Sequence, residues 1–276
     1  MELECKAPLC TGIFDSHAHY FDRRFENETE GADVILERDV FGVGIDGVIN
    51  VATNLVTSRL CMEQAAKYPK MYASAGIHPE DVAYCENTLD VELEKLAAFV
   101  GSREEARKNK IVAIGEIGLD YHYEGFDKQL QQSFFERQLE LAERLDMPVI
   151  IHDRDAHGDC FEIVLKYSNV RGVFHSFSGS PEMAAELVKR GWYISFSGVL
   201  TFKNARKCVE AAEKIPLDRI LIETDAPYLA PHPYRGKINH SGLMYLTAER
   251  LADVKGVDLS EVVTATRKNV FDLFGI

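Results

Sequence analysis

The sequence predicts a (β/α)₈ TIM barrel, folded as a single domain over residues 1–276. Strand-like and helix-like segments alternate along the whole chain. There are eight strand candidates, and the length is close to the roughly 250 residues usual for such a barrel. The competing architecture, an open doubly wound sheet, would need a glycine-rich phosphate turn or a break in strand order. No G-x-G-x-x-G occurs in the sequence.

The strand candidates are residues 13–17, 47–51, 71–77, 111–116, 148–152, 172–175, 192–196 and 219–224. All are short, rich in Val, Ile and Phe, and mostly free of charge, as expected of parallel strands buried on both faces. Amphipathic stretches separate them. Residues 127–146 place Leu130, Phe134, Leu141 and Leu145 at helical spacing, with charges on the opposite side. Ser180 followed by Pro181 reads as an N-cap and a first helical position. Asp258 and Glu261 have the spacing of a capping box. Two further helical stretches, 242–254 and Leu259–Phe274, follow the last strand. No linker, internal repeat or low-complexity segment interrupts the pattern.

Composition narrows the function classes. The apolar share is 46%, ample for a core, and no apolar run approaches the roughly 20 residues that span a bilayer. The N-terminal segment lacks a basic region followed by an apolar one, so no signal peptide is expected. Of six cysteines, Cys5, Cys10, Cys61, Cys85, Cys160 and Cys208, none forms a C-x-x-C pair. Reduced thiols in a cytoplasmic protein are the expectation, although Cys5 and Cys10 could bridge under oxidation. Nothing suggests an obligate protein partner. The formal net charge of −13 argues against non-specific coating of duplex nucleic acid, which calls for basic surfaces. It leaves room for an enzyme that takes a nucleic-acid end into a metal-charged pocket.

Chemistry concentrates at strand ends. Apolar runs stop abruptly at Asp15, His17 and His19, at Glu116, at His152, at His175 and at Asp225. Ligand-type residues so far apart in sequence converge only if their strands share a barrel or sheet, and the convergence would form a site for divalent cations. Strict alternation along a strand puts Asp15, His17 and His19 on one face and Ser16 and Ala18 on the other. The same rule puts Glu116 in phase with Val112 and Ile114, His152 with Ile150, and His175 with Val173. Glu116 has two oxygens and could bridge two metals. Asp225 could bind one metal and take a proton from a bound water, whose pKa metal binding lowers toward neutrality. Glu223 reads equally well as an acid orienting a ligand or as an ion-paired core carboxylate. His78, Arg154, Lys203 and Arg235 lie on the following loops and would steady an anionic substrate such as a phosphodiester. His122 could reach the site; His157, His232 and His240 are expected at the surface.

Taken together, these motifs resemble the TatD family of metal-dependent deoxyribonucleases. The resemblance runs from FDSHAH through AGIHPED, GEIGLDY, IIHDRDA, FHSFSG and TDAPYLAP, in that order. It implies a (β/α)₈ barrel binding two divalent cations. One would be held by His17, His19, Glu116 and Asp225 and the other by Glu116, His152 and His175, with Glu116 bridging. It further implies removal of nucleotides from DNA ends, preferably single-stranded. Histidine-rich ligation favours zinc or manganese (or iron), with magnesium able to support turnover. The family's usual R-G-x-x-N-E-P after the last strand is here Arg235-Gly236-Lys237-Ile238-Asn239-His240-Ser241, so the Glu-Pro pair is lost. The competing expectations are a hydrolase of carboxylic esters or amides, including mischarged aminoacyl-tRNA, and a non-catalytic metal-binding protein.

Overall fold

The computed structural model describes residues 11–276. Cys5 and Cys10 fall outside them. Eight parallel strands form one sheet in the order β1 to β8: β1 (Phe14–Ala18), β2 (Gly47–Asn50), β3 (Met71–Ala75), β4 (Ile111–Asp120), β5 (Val149–Arg154), β6 (Gly172–Phe174), β7 (Tyr193–Phe196) and β8 (Ile220–Ile222). The two edges meet where Ala18 bridges Ala226. There the His19 N–H donates to the Ala226 carbonyl at 2.7 Å, and the Asp225 N–H to the His17 carbonyl at 2.9 Å. The expected (β/α)₈ barrel is therefore present, nearly closed, with helices between consecutive strands.

The helices are α1 (Arg23–Glu28), α2 (Ala32–Ile35), α3 (Leu55–Lys67), α4 (Leu89–Val100), α5 (Arg103–Lys108), α6 (Lys128–Leu145), α7 (His157–Val164), α8 (Pro181–Lys189), α9 (Arg206–Lys214), α10 (Met244–Lys255) and α11 (Leu259–Phe274). Helix α6 starts where Asp127 accepts from the Leu130 N–H, and it buries Phe134, Phe135, Leu139 and Leu141. Each such side chain contributes about 1.5–3 kcal/mol on burial. Ser180 caps α8 through the Met183 N–H, with Pro181 in the first turn. The expected capping box at α11 does not form. Asp258 occupies the N-cap position, but its side chain makes no capping hydrogen bond. No described helix is long and apolar enough to cross a membrane.

Two apolar layers result. A large one lies between strands and helices. A smaller one fills the barrel with Phe14, Ile49, Val112, Ile150, Val173, Tyr193 and Leu221, and Leu273 and Phe274 of α11 close its lower end. Two strands depart from strict alternation. In β1 the register slips between Asp15 and Ala18. Asp15 and Ser16 keep the expected alternation, but the slip places His17 with the interior. The carboxylate of Asp15 accepts from the Thr224 N–H, the Thr224 hydroxyl and the Ser241 hydroxyl, while the Ser16 hydroxyl meets Ser195 at 3.3 Å. Asp15 and His17 therefore do not share a face. In β4 the register slips twice, between the partners of Ile111 and Ala113 and again between Ile114 and Ile117. Val112 faces the barrel interior and Ile114 the helices, so the phase expected to carry Glu116 inward is not the one that does. A β-bulge re-aims side chains in this way next to functional sites.

Candidate active site

Despite those slips, the expected ligand residues meet at the C-terminal ends of the strands. Three donor groups form: His17, Glu116 and His175; His17, His19 and Asp225; His78, Glu116 and His152. His17 Nε2 stands 3.1 Å from His19 Nε2, 3.4 Å from Glu116 Oε2 and 3.7 Å from Asp225 Oδ1. His19 Nε2 is 3.3 Å from Asp225 Oδ1 and 3.7 Å from Glu116 Oε2. The other oxygen of Glu116, Oε1, lies 2.8 Å from His152 Nδ1, 2.8 Å from His175 Nε2 and 3.5 Å from His78 Nε2. One carboxylate thus faces two imidazole sets, one oxygen to each.

The donor set fits a cation on two grounds. Donors about 2.1 Å from a tetrahedrally held cation stand about 3.4 Å apart, the spacing found around His17 and His19. The outer nitrogens of three imidazoles are also committed. His19 Nδ1–H donates to the Val51 carbonyl at 2.6 Å, His152 Nε2–H to Asp120 Oδ2 at 2.9 Å, and His175 Nδ1–H to Glu223 Oε1 at 3.2 Å. Each bond fixes the ring so that, once the imidazole is neutral, its inward nitrogen can offer a lone pair to a metal. The nearly parallel stack of His17 on His175, with ring centroids 4.0 Å apart, locks two of the rings against each other.

Electrostatics follow from that crowding. Burial pushes Glu116 toward the neutral acid, but the charges of His175, His78 and His17 and the bond from His152 hold it well below the usual carboxylate range. Burial also works against charge on His152, yet Asp120 and Glu116 outweigh it and raise its pKa to about 9. His175 is raised in the same manner by Glu116 and Glu223. His17 goes down, through burial and then repulsion from His175. Asp225 is lowered despite burial by His19, His175 and His17.

Of the residues expected to meet substrate, His78 joins the cluster itself. Arg154 lies at its rim, 4.0 Å from Asp120 Oδ2. Lys203 and Arg235 stay on exposed turns, with the Arg235 guanidinium 4.1 Å from the Phe202 ring centre, so the loops after β7 and β8 share one edge of the opening. His122 is exposed and pairs with Asp155 at 2.7 Å instead of reaching the cluster. Two histidines expected at the surface are elsewhere. His240 is buried between the post-β8 loop and the segment around Asp39, and His157 is half-buried against Asp153. Asp120, which no expectation from the sequence names, holds His152. It ends β4, two alternations beyond Glu116, and that spacing was the available signal.

Comparison with known proteins agrees with this geometry. A family model described as TatD related DNase matches residues 14–275. The chain is 37% identical to an uncharacterized metal-dependent hydrolase of Bacillus subtilis, YabD, over 96% of this chain and 99% of that one. It is 36% identical to the Escherichia coli uncharacterized metal-dependent hydrolase YcfH, over 96% of each. The crystal structure of YjjV, a TatD homolog from E. coli, superposes with a TM-score of 0.86 at 29% identity, covering 97% of this chain and 99% of that one.

Proposed function

The chain belongs to the TatD-related DNase family and is a metal-dependent hydrolase, and from that premise we propose that it cleaves phosphodiester bonds of DNA, taking single strands from an end. The observation that carries this reading is Glu116, whose two oxygens face separate imidazole sets within one cavity. A shared carboxylate of that kind suits two cations, with His17, His19, Glu116 and Asp225 holding one and Glu116, His152 and His175 the other. The nitrogen-rich donors favour zinc or manganese, and magnesium would support turnover. Bound cations supply Lewis acidity: they polarise a phosphoryl oxygen and bring a water toward deprotonation near neutral pH.

The chain's own residues do the rest. Asp225 holds its carboxylate ionised beside His19 and would accept the water's proton. Asp120, Glu223 and the Val51 carbonyl fix the imidazole tautomers before substrate arrives. His78, beside Glu116, would hold a non-bridging phosphate oxygen. Arg154 at one side of the rim, with Lys203 and Arg235 at another, would offset the charge that grows in the transition state. A phosphodiester gains more from those cations than a neutral carboxylic ester does, which favours the nuclease reading over an esterase. We place the reaction in the cytoplasm, a reading supported by four unpaired described cysteines, Cys61, Cys85, Cys160 and Cys208.

The test is incubation of the purified chain with end-labelled single-stranded DNA and Mg²⁺, Mn²⁺ or Zn²⁺ in turn, with a chelated control. Release of nucleotides that depends on added metal is expected. If no metal supports release, the nuclease reading is wrong.

A further inference from the structure

Exposed large hydrophobic side chains are of interest where they stand beside a cavity that could take a ligand. Two of the described ones lie beside the donor cluster. Tyr228, 41% exposed, has its ring centroid 6.5 Å from that of His19. Tyr123, 57% exposed, follows β4 within three residues of Asp120, which holds His152. Each ring is paired with a guanidinium. Arg24 stands 5.4 Å from the Tyr228 ring centre, and Arg154 stands 5.1 Å from that of Tyr123. Each hydroxyl is anchored as well. Tyr228 donates to Asp22 Oδ2 at 2.6 Å, and Tyr123 accepts from Arg154 Nη1 at 3.3 Å. The strand order sets their relation. Tyr228 follows β8, which meets β1, while Tyr123 and Arg154 belong to the β4 and β5 ends. In an eight-stranded barrel those ends lie on opposite sides of the mouth.

An exposed ring held in place by its hydroxyl and by a guanidinium over it is a platform of the kind on which an unpaired nucleobase stacks. We propose that Tyr123 and Tyr228 are two stacking platforms that bracket the donor cluster and hold the unpaired bases on either side of the bond to be cut. The inference rests on the nuclease reading above and gives it a physical basis for strand choice. Two bases can splay to opposite sides only when neither is paired, so a duplex would have to melt at its end before it could engage. Stacking is indifferent to base identity, and little sequence preference should accompany it.

The experiment measures kcat and KM of the metal-loaded full chain on a short single-stranded oligonucleotide. The same strand carrying an abasic residue on one or the other side of the cut is run beside it. Wild type is compared with Tyr123→Leu, Tyr228→Leu and the corresponding Phe variants. Each Leu change should raise KM about five- to hundredfold, the range for loss of one base–aromatic stack, and Phe should restore it. The matching abasic substrate should be poorer for wild type by a similar factor, and the two losses should not multiply. The platforms are refuted if wild type handles intact and abasic strands alike. They are equally refuted if the Leu variants lose as much on abasic strands as on intact ones, or if Phe fails to rescue. A wild type that cuts no nucleic acid under any metal removes the nuclease reading and the platforms together. One that cuts well while ignoring ring and base removes the platforms alone.

Discussion

A carboxylate buried as deeply as Glu116 would by itself lean toward the neutral acid, and a buried imidazole toward the neutral base. Packed together, they charge one another. In the metal-free protein His152 titrates near 9 and His175 well above the ordinary imidazole value, because burial is outweighed by Asp120, Glu116 and Glu223. Their folded pKa values exceed the unfolded value of about 6.5, so between that pH and about 9 the folded state binds more protons than the unfolded one. The stability these pairs contribute is fully present below pH 6.5 and is lost as pH rises toward 9. The melting temperature of chelated protein should fall across that window. Metal requires the neutral imidazoles, so loading at pH 7.5 should release protons, and apparent affinity should rise with pH. Calorimetry in buffers of different ionisation enthalpy reads both effects, and equal heats in all buffers would contradict them. Two substitutions separate roles. Asp225→Asn should cut kcat by about a thousandfold, within the range for loss of a positioned base, and the metal content of the variant should be measured alongside. Asp120→Asn leaves the donors in place but frees the His152 ring, and it should weaken metal binding about 10- to 100-fold, read by competition with a chromogenic chelator.

At the scale of the element, the site depends on how closely β4 lies against β5. Gly118 has φ of +143°, and a Cβ there would stand 2.0 Å from the carbonyl oxygen of His152. That oxygen is backbone and cannot swing aside, so Gly118→Ala must push the two strands apart at the point where His152 is aimed. The expected cost is about 1–3 kcal/mol or more in urea denaturation, accompanied by reduced metal content. A variant of wild-type stability and full metal load would mean that the strand contact is not what positions His152. The same strand shows why the sequence was legible in part. Short Val/Ile/Phe runs mark the barrel strands, and five of them run into the His or acid residues that meet in the cluster, because residue chemistry at a strand end needs no phase. Phase failed in β1 and β4, since a slip of one residue is set by how the neighbouring strands pair and leaves no mark in the local pattern. Glu116 thus reaches the donor cluster although β4 does not follow the alternation that predicts it to face inward. Asp120 stands four residues after Glu116, but an acid that reads as opening a loop carries no local sign of its contact with His152. His240 ends no strand and so reads as a surface residue, whereas the post-β8 loop packs against the segment around Asp39 and buries it. Contacts between such distant segments are tertiary facts that composition does not encode.

For the whole molecule, the net charge of −13 must be reconciled with the polyanionic substrate proposed above. A protein that binds nucleic acid through an extended basic surface makes many phosphate contacts and loses affinity steeply with salt. Here the cations at the mouth are few. Arg154 stands on one side, and Lys203 and Arg235 share the edge formed by the loops after β7 and β8. The field over the cavity must therefore come chiefly from bound metal, which salt at a distance screens poorly because most of the donors around it are buried. Single strands give a slope of about 0.7 in log K against log salt for each phosphate neutralised, so three side chains imply a slope near 2. Log KM for single-stranded DNA should rise with log salt at about that slope, and Arg154→Ala should lower it by about 0.7. Chelation should abolish binding of the uncleaved strand at every salt concentration. A slope of 5 or more, or binding that survives chelation, would point to a basic track outside the barrel mouth and would move the substrate away from the carboxylate–imidazole cluster.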